Sequence, residues 1–282
     1  MWVRIPPCPP MKEKITPIYE DKNFVAINKP AGLLVHQTAA KGEKTLVDWL
    51  LKKYPEIKNV GDPSTSSGQV NLRPGIVHRL DRETSGVILI ARNQKYFEYL
   101  KNLFSPYGRS PEGRQGSQIK KTYLALVWGK VEPKTGIIKK PIRLKSGTIK
   151  RTVWQGKMEK EAITEYKVLK YLKKDFSLLK VMPKTGRTHQ IRAHLASIGH
   201  PIVGDTLYGK KTNPFNLKRL FLHAESLEFS LPPHQMRIGA EGAINNKSAL
   251  WCGGLESGRR IKIEAGPPNE LKKIIYSLFS RS

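Results

Sequence analysis

The residues with the clearest chemical potential lie in the segment HRLDRETSGVILIAR, from His78 to Arg92. Asp81 stands between Arg79 and Arg82, and Thr84-Ser85-Gly86 then supplies turn chemistry before the apolar run Val87–Ala91. A carboxylate with cationic neighbours, presented on a loop that enters a rigid core strand, is placed as a nucleophile must be placed. An isolated RxDR string is more often an exposed ion pair of small energetic value. The apolar run beyond the turn separates the two readings, because five consecutive apolar residues rich in β-branching predict a strand buried on both faces.

Around that strand the sequence predicts further elements. Phe24–Ile27 and Leu33–Val35 read as strands on either side of a Lys29-Pro30-Ala31-Gly32 turn. Thr45 is an N-cap for a helix to Tyr54 with Leu46, Trp49 and Leu50 on one face. Asn93 caps a second helix to about Phe104, with Phe97, Leu100 and Phe104 inward. Lys120–Trp128 reads as a strand, and Ala162–Leu172 and Phe176–Met182 as a hairpin. Ile191, Leu195 and Ile198 fall on one helical face, with Thr188 as N-cap and Gly199 as the stop. Leu220–Phe229 and Ile261–Ala265 are further strands, and a closing helix starts near Asn269 with Leu271, Ile274, Ile275 and Leu278 inward. Residues 1–12 are expected to be a disordered lead, 13–282 one catalytic domain, and 105–118 and 232–260 inserted loops.

The formal charge is +27, from 50 Lys and Arg against 23 Asp and Glu, and it is spread along the chain. Nucleic acid is the first partner such a surface implies, because neutralising phosphates releases counterions. Two cysteines, Cys8 and Cys252, give neither a disulfide framework nor a Cys-rich zinc site and fit a reducing cytoplasm. No apolar run approaches the ~18 residues of a membrane span. His189 and His194 are five apart, off a common helical face, and with no HExxH string a zinc site is not expected. His78 reads as a hydrogen-bonded structural histidine.

HRLDRETSG with its strand, KTYLALV around Tyr123, and PKTGRTHQIRAHLASIGHPIVGDTLYG from Pro183 to Gly209 together resemble the RNA pseudouridine synthases of the RluA branch. The KPAG turn and the following Val35-His36 agree with that resemblance, and there is no room for the N-terminal S4-type RNA-binding module often found in this branch. The resemblance implies an α+β fold: a central, mostly antiparallel mixed β-sheet with flanking helices and an active-site cleft across it. It implies isomerisation of a uridine in structured RNA, rRNA or tRNA, with no cofactor, metal or ATP, by a cytoplasmic monomer. Residue by residue, Asp81 takes the catalytic aspartate's place, Tyr123 the tyrosine that stacks on the extruded base, and Arg192 the arginine that pairs with the aspartate. Asp205 reads as structural. Arg79, Arg82, Arg187, His189, Lys120 and Lys121 are the expected RNA contacts. Two other readings stand beside this one: an RNA-binding ribosome-assembly factor with dispensable catalysis, and a glycoside-type hydrolase using Asp81 and Glu83, disfavoured because no sugar-binding aromatic cluster accompanies the two carboxyls.

Overall fold

A segment apolar on both faces can only lie inside a sheet, and the strand after Asp81 does. In the computed structural model, residues 15–37, 42–62, 73–105, 119–144, 151–153, 157–172, 175–209, 212–232, 249–252 and 260–279 are described. The first part of the chain gives β1 (Thr16–Glu20), β2 (Phe24–Lys29), α1 (Leu46–Lys53), β3 (Ser85–Ala91) and α2 (Gln94–Phe104). The middle gives β4 (Lys120–Trp128), β5 (Thr135–Lys139), β6 (Ile142–Leu144), β7 (Arg151–Thr152), β8 (Lys157–Lys160), β9 (Ile163–Leu172) and β10 (Phe176–Pro183). The last part gives α3 (Gln190–Ser197), β11 (Leu222–Ser230), β12 (Ala249–Cys252), β13 (Arg260–Glu264) and α4 (Asn269–Phe279).

Ten strands form one sheet in the order β1-β2-β3-β11-β4-β10-β9-β5, with β13 on β11 and β12 on β13. Every pairing is antiparallel except β3 with β11, which are parallel through His223↔Ser85 and Ala224↔Gly86. That parallel seam explains Gly86: its φ is +117° and a Cβ there would lie 2.1 Å from the Ala224 carbonyl oxygen, so no other residue lets the strands approach. Tyr123 pairs with Ala224 on the other side, so Gly86, Ala224 and Tyr123 form one row across β3, β11 and β4. Two apolar cores meet near this row. One gathers the β1–β3 half with α1 and α2, the other the β4, β9 and β10 half with α3 and α4. Tyr123 packs against both.

The caps behave as their chemistry requires. Thr45 and Asp48 form a reciprocal capping box on α1, and the Asn93 side chain accepts from the Tyr96 N–H to start α2. Two expectations need correction. Leu33–Val35 is not a strand: it contributes one parallel bridge, Leu34 to Thr45, because its carbonyls are taken by the Lys29 ammonium and by the Leu46 and Val47 N–H groups at the start of α1. Thr188 does not cap α3; His189 occupies that position in the left-handed region, φ 56°, with no side-chain cap. Gln190 substitutes from inside the helix, its Oε1 accepting from the Arg187 N–H at 3.0 Å and the Thr185 hydroxyl at 2.8 Å. Residues 106–118, 233–248 and 253–259 of the expected insertions lie outside the described residues, as does the N-terminal lead; residues 249–252 add β12 to the edge of β13. A separate sheet, β7-β6-β8, leans on α3 through Ile142, Val153, Ala162 and Ala193.

Candidate active site

Asp81 lies in the turn that feeds β3, where the Thr84 N–H donates to the Asp81 carbonyl at 3.1 Å. What fixes this turn is a residue to which the sequence alone assigns no role. Lys29, fully buried at the end of β2, donates from Nζ to the carbonyls of Pro30 at 2.9 Å, Leu33 at 2.9 Å and Arg82 at 3.1 Å. The Gly32 N–H donates to the same Arg82 carbonyl at 2.8 Å. The KPAG turn is thus a clamp on the residue next to Asp81, and its ammonium is tolerated in the core because carbonyl oxygens replace its water. Lys29→Met should leave these carbonyls short of a donor, costing about 1–3 kcal/mol of stability. It should also lower turnover by displacing Asp81; denaturant unfolding and kcat together check both, and unchanged kcat would refute the positioning role.

On the other side of the carboxylate stands α3. Arg192 Nη1 is 3.5 Å from Asp81 Oδ2, and His189 Nε2 is 3.9 Å from the same oxygen. The tightest partner of Arg192, however, is Asp205, held by a two-pronged pair with Nε and Nη2 each at 2.8 Å. The Asp205 side chain is 0% exposed and that of Asp81 20%, which divides their roles: one carboxylate is sealed in as the guanidinium's counter-ion, the other remains open to a ligand. Burial would raise the Asp205 pKa, but the Arg192 hydrogen bonds and the N–H groups of Leu207 and Tyr208 outweigh it and hold it below the ordinary carboxylate range. Burial works against the Arg192 charge too, and Asp205 and Asp81 more than offset it, so the guanidinium stays protonated. Burial lowers the pKa of His189, with Asp81 pulling the other way; its Nδ1 meets the Tyr208 hydroxyl at 3.2 Å.

Tyr123 completes the group. It is half-buried, and its hydroxyl pKa is raised first by burial and then by the negative charge of Asp81, so the two side chains share one environment. Glu83 is a second carboxyl here. It lies in the same turn as Asp81; burial raises its pKa, while Arg192 opposes that. Of the expected RNA contacts, Arg79 is exposed and its charge acts on His36. Lys121 is buried on the Tyr123 face of β4, its pKa lowered to about 8 by burial and by Lys184. Lys120 points to the other face and pairs with Glu228 at 3.3 Å, away from Asp81. Arg82 is engaged by Glu43 at 3.1 Å and the Gly32 carbonyl at 3.2 Å. Arg187 Nε donates to the Glu161 carbonyl at 3.1 Å.

Three other histidines hold the scaffold. His78 Nε2 accepts from the Leu89 N–H at 2.9 Å. His194 bridges Thr164 and the Lys140 carbonyl. His223 donates from Nε2 to the Ala265 carbonyl, which leaves Nδ1 to accept from Ser85 at 2.8 Å, at the first residue of β3.

The sheet and the placement of this site define a class. The chain superposes on a human RNA pseudouridylate synthase domain-containing protein with a TM-score of 0.63 over 93% of this chain and 92% of the other, at 23% identity, which by itself shows the fold. The sequence takes the identification further: the RNA pseudouridylate synthase signature matches residues 23–197. An RNA pseudouridine synthase of Aquifex aeolicus is 42% identical over 209 residues, 74% of this chain and 60% of the relative. The tRNA pseudouridine synthase C of Haemophilus ducreyi is 33% identical over 246 residues, 82% of this chain and 91% of the relative. The chain belongs to the RNA pseudouridylate synthase family. It spans about 60% of the length of the Aquifex relative.

Proposed function

We propose that this protein isomerises uridine to pseudouridine in structured RNA, either rRNA or tRNA, with Asp81 as the catalytic carboxylate. The observation that supports this most directly is the solvent-reachable Asp81 side chain 3.5 Å from the Arg192 guanidinium, beside the phenol of Tyr123 and on a chain of charge +27. A uridine inside folded RNA must first leave its stack, at a cost of a few kcal/mol. Stacking on Tyr123 returns about 1–3 kcal/mol of that. The Asp81 carboxylate then engages C1′ as the bond to N1 breaks. The uracil turns, C5 bonds to C1′ as the carboxylate leaves it, the C5 proton departs with the Tyr123 hydroxyl as its relay, and N1 takes up a proton. Substrate and product are isomers, so the step needs no oxidant, reductant or group donor.

Arg192 positions the carboxylate and keeps it ionised when the base excludes water. Because Asp205 orients the guanidinium, Arg192 is already fixed before RNA arrives, which is the preorganisation a charged site requires. Arg79 and Arg187 would meet the RNA backbone around this centre, whereas Lys121 is buried. The protein would act as a monomer in the cytoplasm. The direct test is pseudouridine mapping of rRNA and tRNA from cells with and without the gene. Loss of at least one modified uridine, restored by the gene and not by its Asp81→Asn form, is the expected outcome. Equal rescue of a ribosome or tRNA defect by both forms would instead make the protein an assembly factor.

A further inference from the structure

The small β7-β6-β8 sheet has no role in the chemistry above, yet it is docked against the helix that carries Arg192. The Arg151 N–H donates to the Tyr208 hydroxyl at 2.7 Å, and that hydroxyl meets His189 Nδ1 at 3.2 Å. His189 Nε2 is in turn 3.9 Å from Asp81. Tyr208 also lies under Arg192, whose guanidinium carbon is 5.2 Å from the ring centroid. The backbone of β7 is therefore tied to the same side chains that surround the catalytic carboxylate.

Two arginines leave this sheet, and they differ. Arg143 is neutralised: Nε donates to Glu159 at 2.9 Å and Nη1 to the Val153 carbonyl at 3.1 Å. Arg151 is half-buried, and its Nε, out of solvent, has no acceptor among the described residues. Buried N–H groups are seldom left without a partner, and a binding site is one of the few places where they are. The Arg151 N–H is bound to the Tyr208 hydroxyl that meets His189, which puts Arg151 beside the active site, and its charge helps to lower the His189 pKa.

The local charge balance says what is missing. Arg192 is one positive charge against the carboxylates of Asp205 and Asp81. A phosphodiester brought beside Asp81 would meet net negative charge and be repelled. A further cation at that rim would add to Arg79 and Arg187, and a guanidinium whose Nε has no acceptor among the described residues suits phosphate oxygens in geometry as well as charge.

We propose that Arg151 is a substrate-positioning residue that binds an RNA phosphate next to the reacting nucleotide, with the β7-β6-β8 sheet as its mount. This rests on the RNA-isomerising reading of the site, and the test separates the two. Affinity for bulk rRNA and bulk tRNA, prepared from a strain lacking the gene, is measured from low to high salt for the wild type, Arg151→Met, Arg151→Lys and Asp81→Asn. Arg151→Met should bind roughly 10-fold more weakly, and its slope of log K against log salt should be shallower by about 1, the signature of one lost phosphate contact. KM should rise by the same factor with kcat within about twofold of the wild type, the pattern of lost uniform binding. Arg151→Lys should recover the slope, and Asp81→Asn should keep it. If Arg151→Met fails to fold, Arg151→Gln carries the comparison, since its amide retains polar atoms near the buried Nε position. A wild-type slope and KM in the folded neutral variant would overturn the proposal, as would a Lys variant no better than Met. Absence of pseudouridine formation by the wild type would refute the catalytic reading, while a slope change in Arg151→Met would still uphold the phosphate contact.

Discussion

Asp81→Asn should lower pseudouridine formation by at least about 10⁴-fold in kcat, as loss of a catalytic group whose role no neighbour can assume does. That factor corresponds to about 5.5 kcal/mol of transition-state stabilisation. The substitution preserves shape and removes only charge and nucleophilicity. It should leave the fold intact, because the turn is held by backbone groups: the Lys29 ammonium and Gly32 N–H on the Arg82 carbonyl, and the Thr84 N–H on the carbonyl of residue 81. Arg192 keeps its pair with Asp205 and is not left without a counter-ion. Glu83 is the carboxyl nearest in sequence, but burial raises its pKa, so it offers less of the charged form. Release of tritium from RNA labelled at uridine C5 measures the reaction directly, since the C5 hydrogen is lost. Turnover within about 10-fold of the wild type would remove Asp81 from the mechanism, because even general acid–base assistance contributes about 10²–10⁴-fold.

The range of the forces involved decides which parts of the molecule are legible in its sequence. β3 and β4 are readable because burial on both faces leaves an apolar run or an alternation within a few residues. The caps of α1 and α2 are readable because Thr45 with Asp48, and Asn93 with Tyr96, act over three positions. Leu33–Val35 has the composition of a strand, but its neighbours in space are decided by Lys29 and Gly32, whose partner is the carbonyl of Arg82. Main-chain atoms leave no mark in a sequence, so the clamp is invisible there. The same holds for the choice of Asp205 over Asp81 as the close partner of Arg192. It depends on the turn after α3, where the Asp205 carboxylate also accepts from the N–H groups of Leu207 and Tyr208. The β7-β6-β8 sheet is unreadable for a different reason: strands of two to four residues are too short to show a period. Asp81 and Arg192, carried by separate motif strings, do come within 3.5 Å of each other, whereas the contacts that orient them leave no mark in the sequence.

Arg192 serves two carboxylates, and Arg192→Met should expose both dependencies at once. The first is stability. Asp205 would remain sealed with no counter-ion, and breaking a buried pair in this way costs about 3–5 kcal/mol at neutral pH. The sign of the pH dependence distinguishes this from simple loss of packing. In the wild type the folded pKa of Asp205 lies below its ordinary value of 3.8. Its contribution is therefore fully present above that value and is lost as pH falls through the folded pKa. In the variant, burial prevails and the folded pKa rises above the unfolded one. Stability is then greatest below the unfolded pKa and declines as pH increases through the raised value. Lowering the pH from 7 to 5 should return part of the lost stability to Arg192→Met and none to the wild type, as urea unfolding at the two pH values would show. Equal shifts in both proteins would mean that Asp205 does not depend on Arg192 for its charge. The second dependency is catalytic, and Arg192→Met combined with Asp205→Asn separates it. Removing the stranded charge should recover most of the stability, as coupled pairs do in a double-mutant cycle, yet the Asp81 carboxylate would still lack its guanidinium at 3.5 Å, so activity should stay lost.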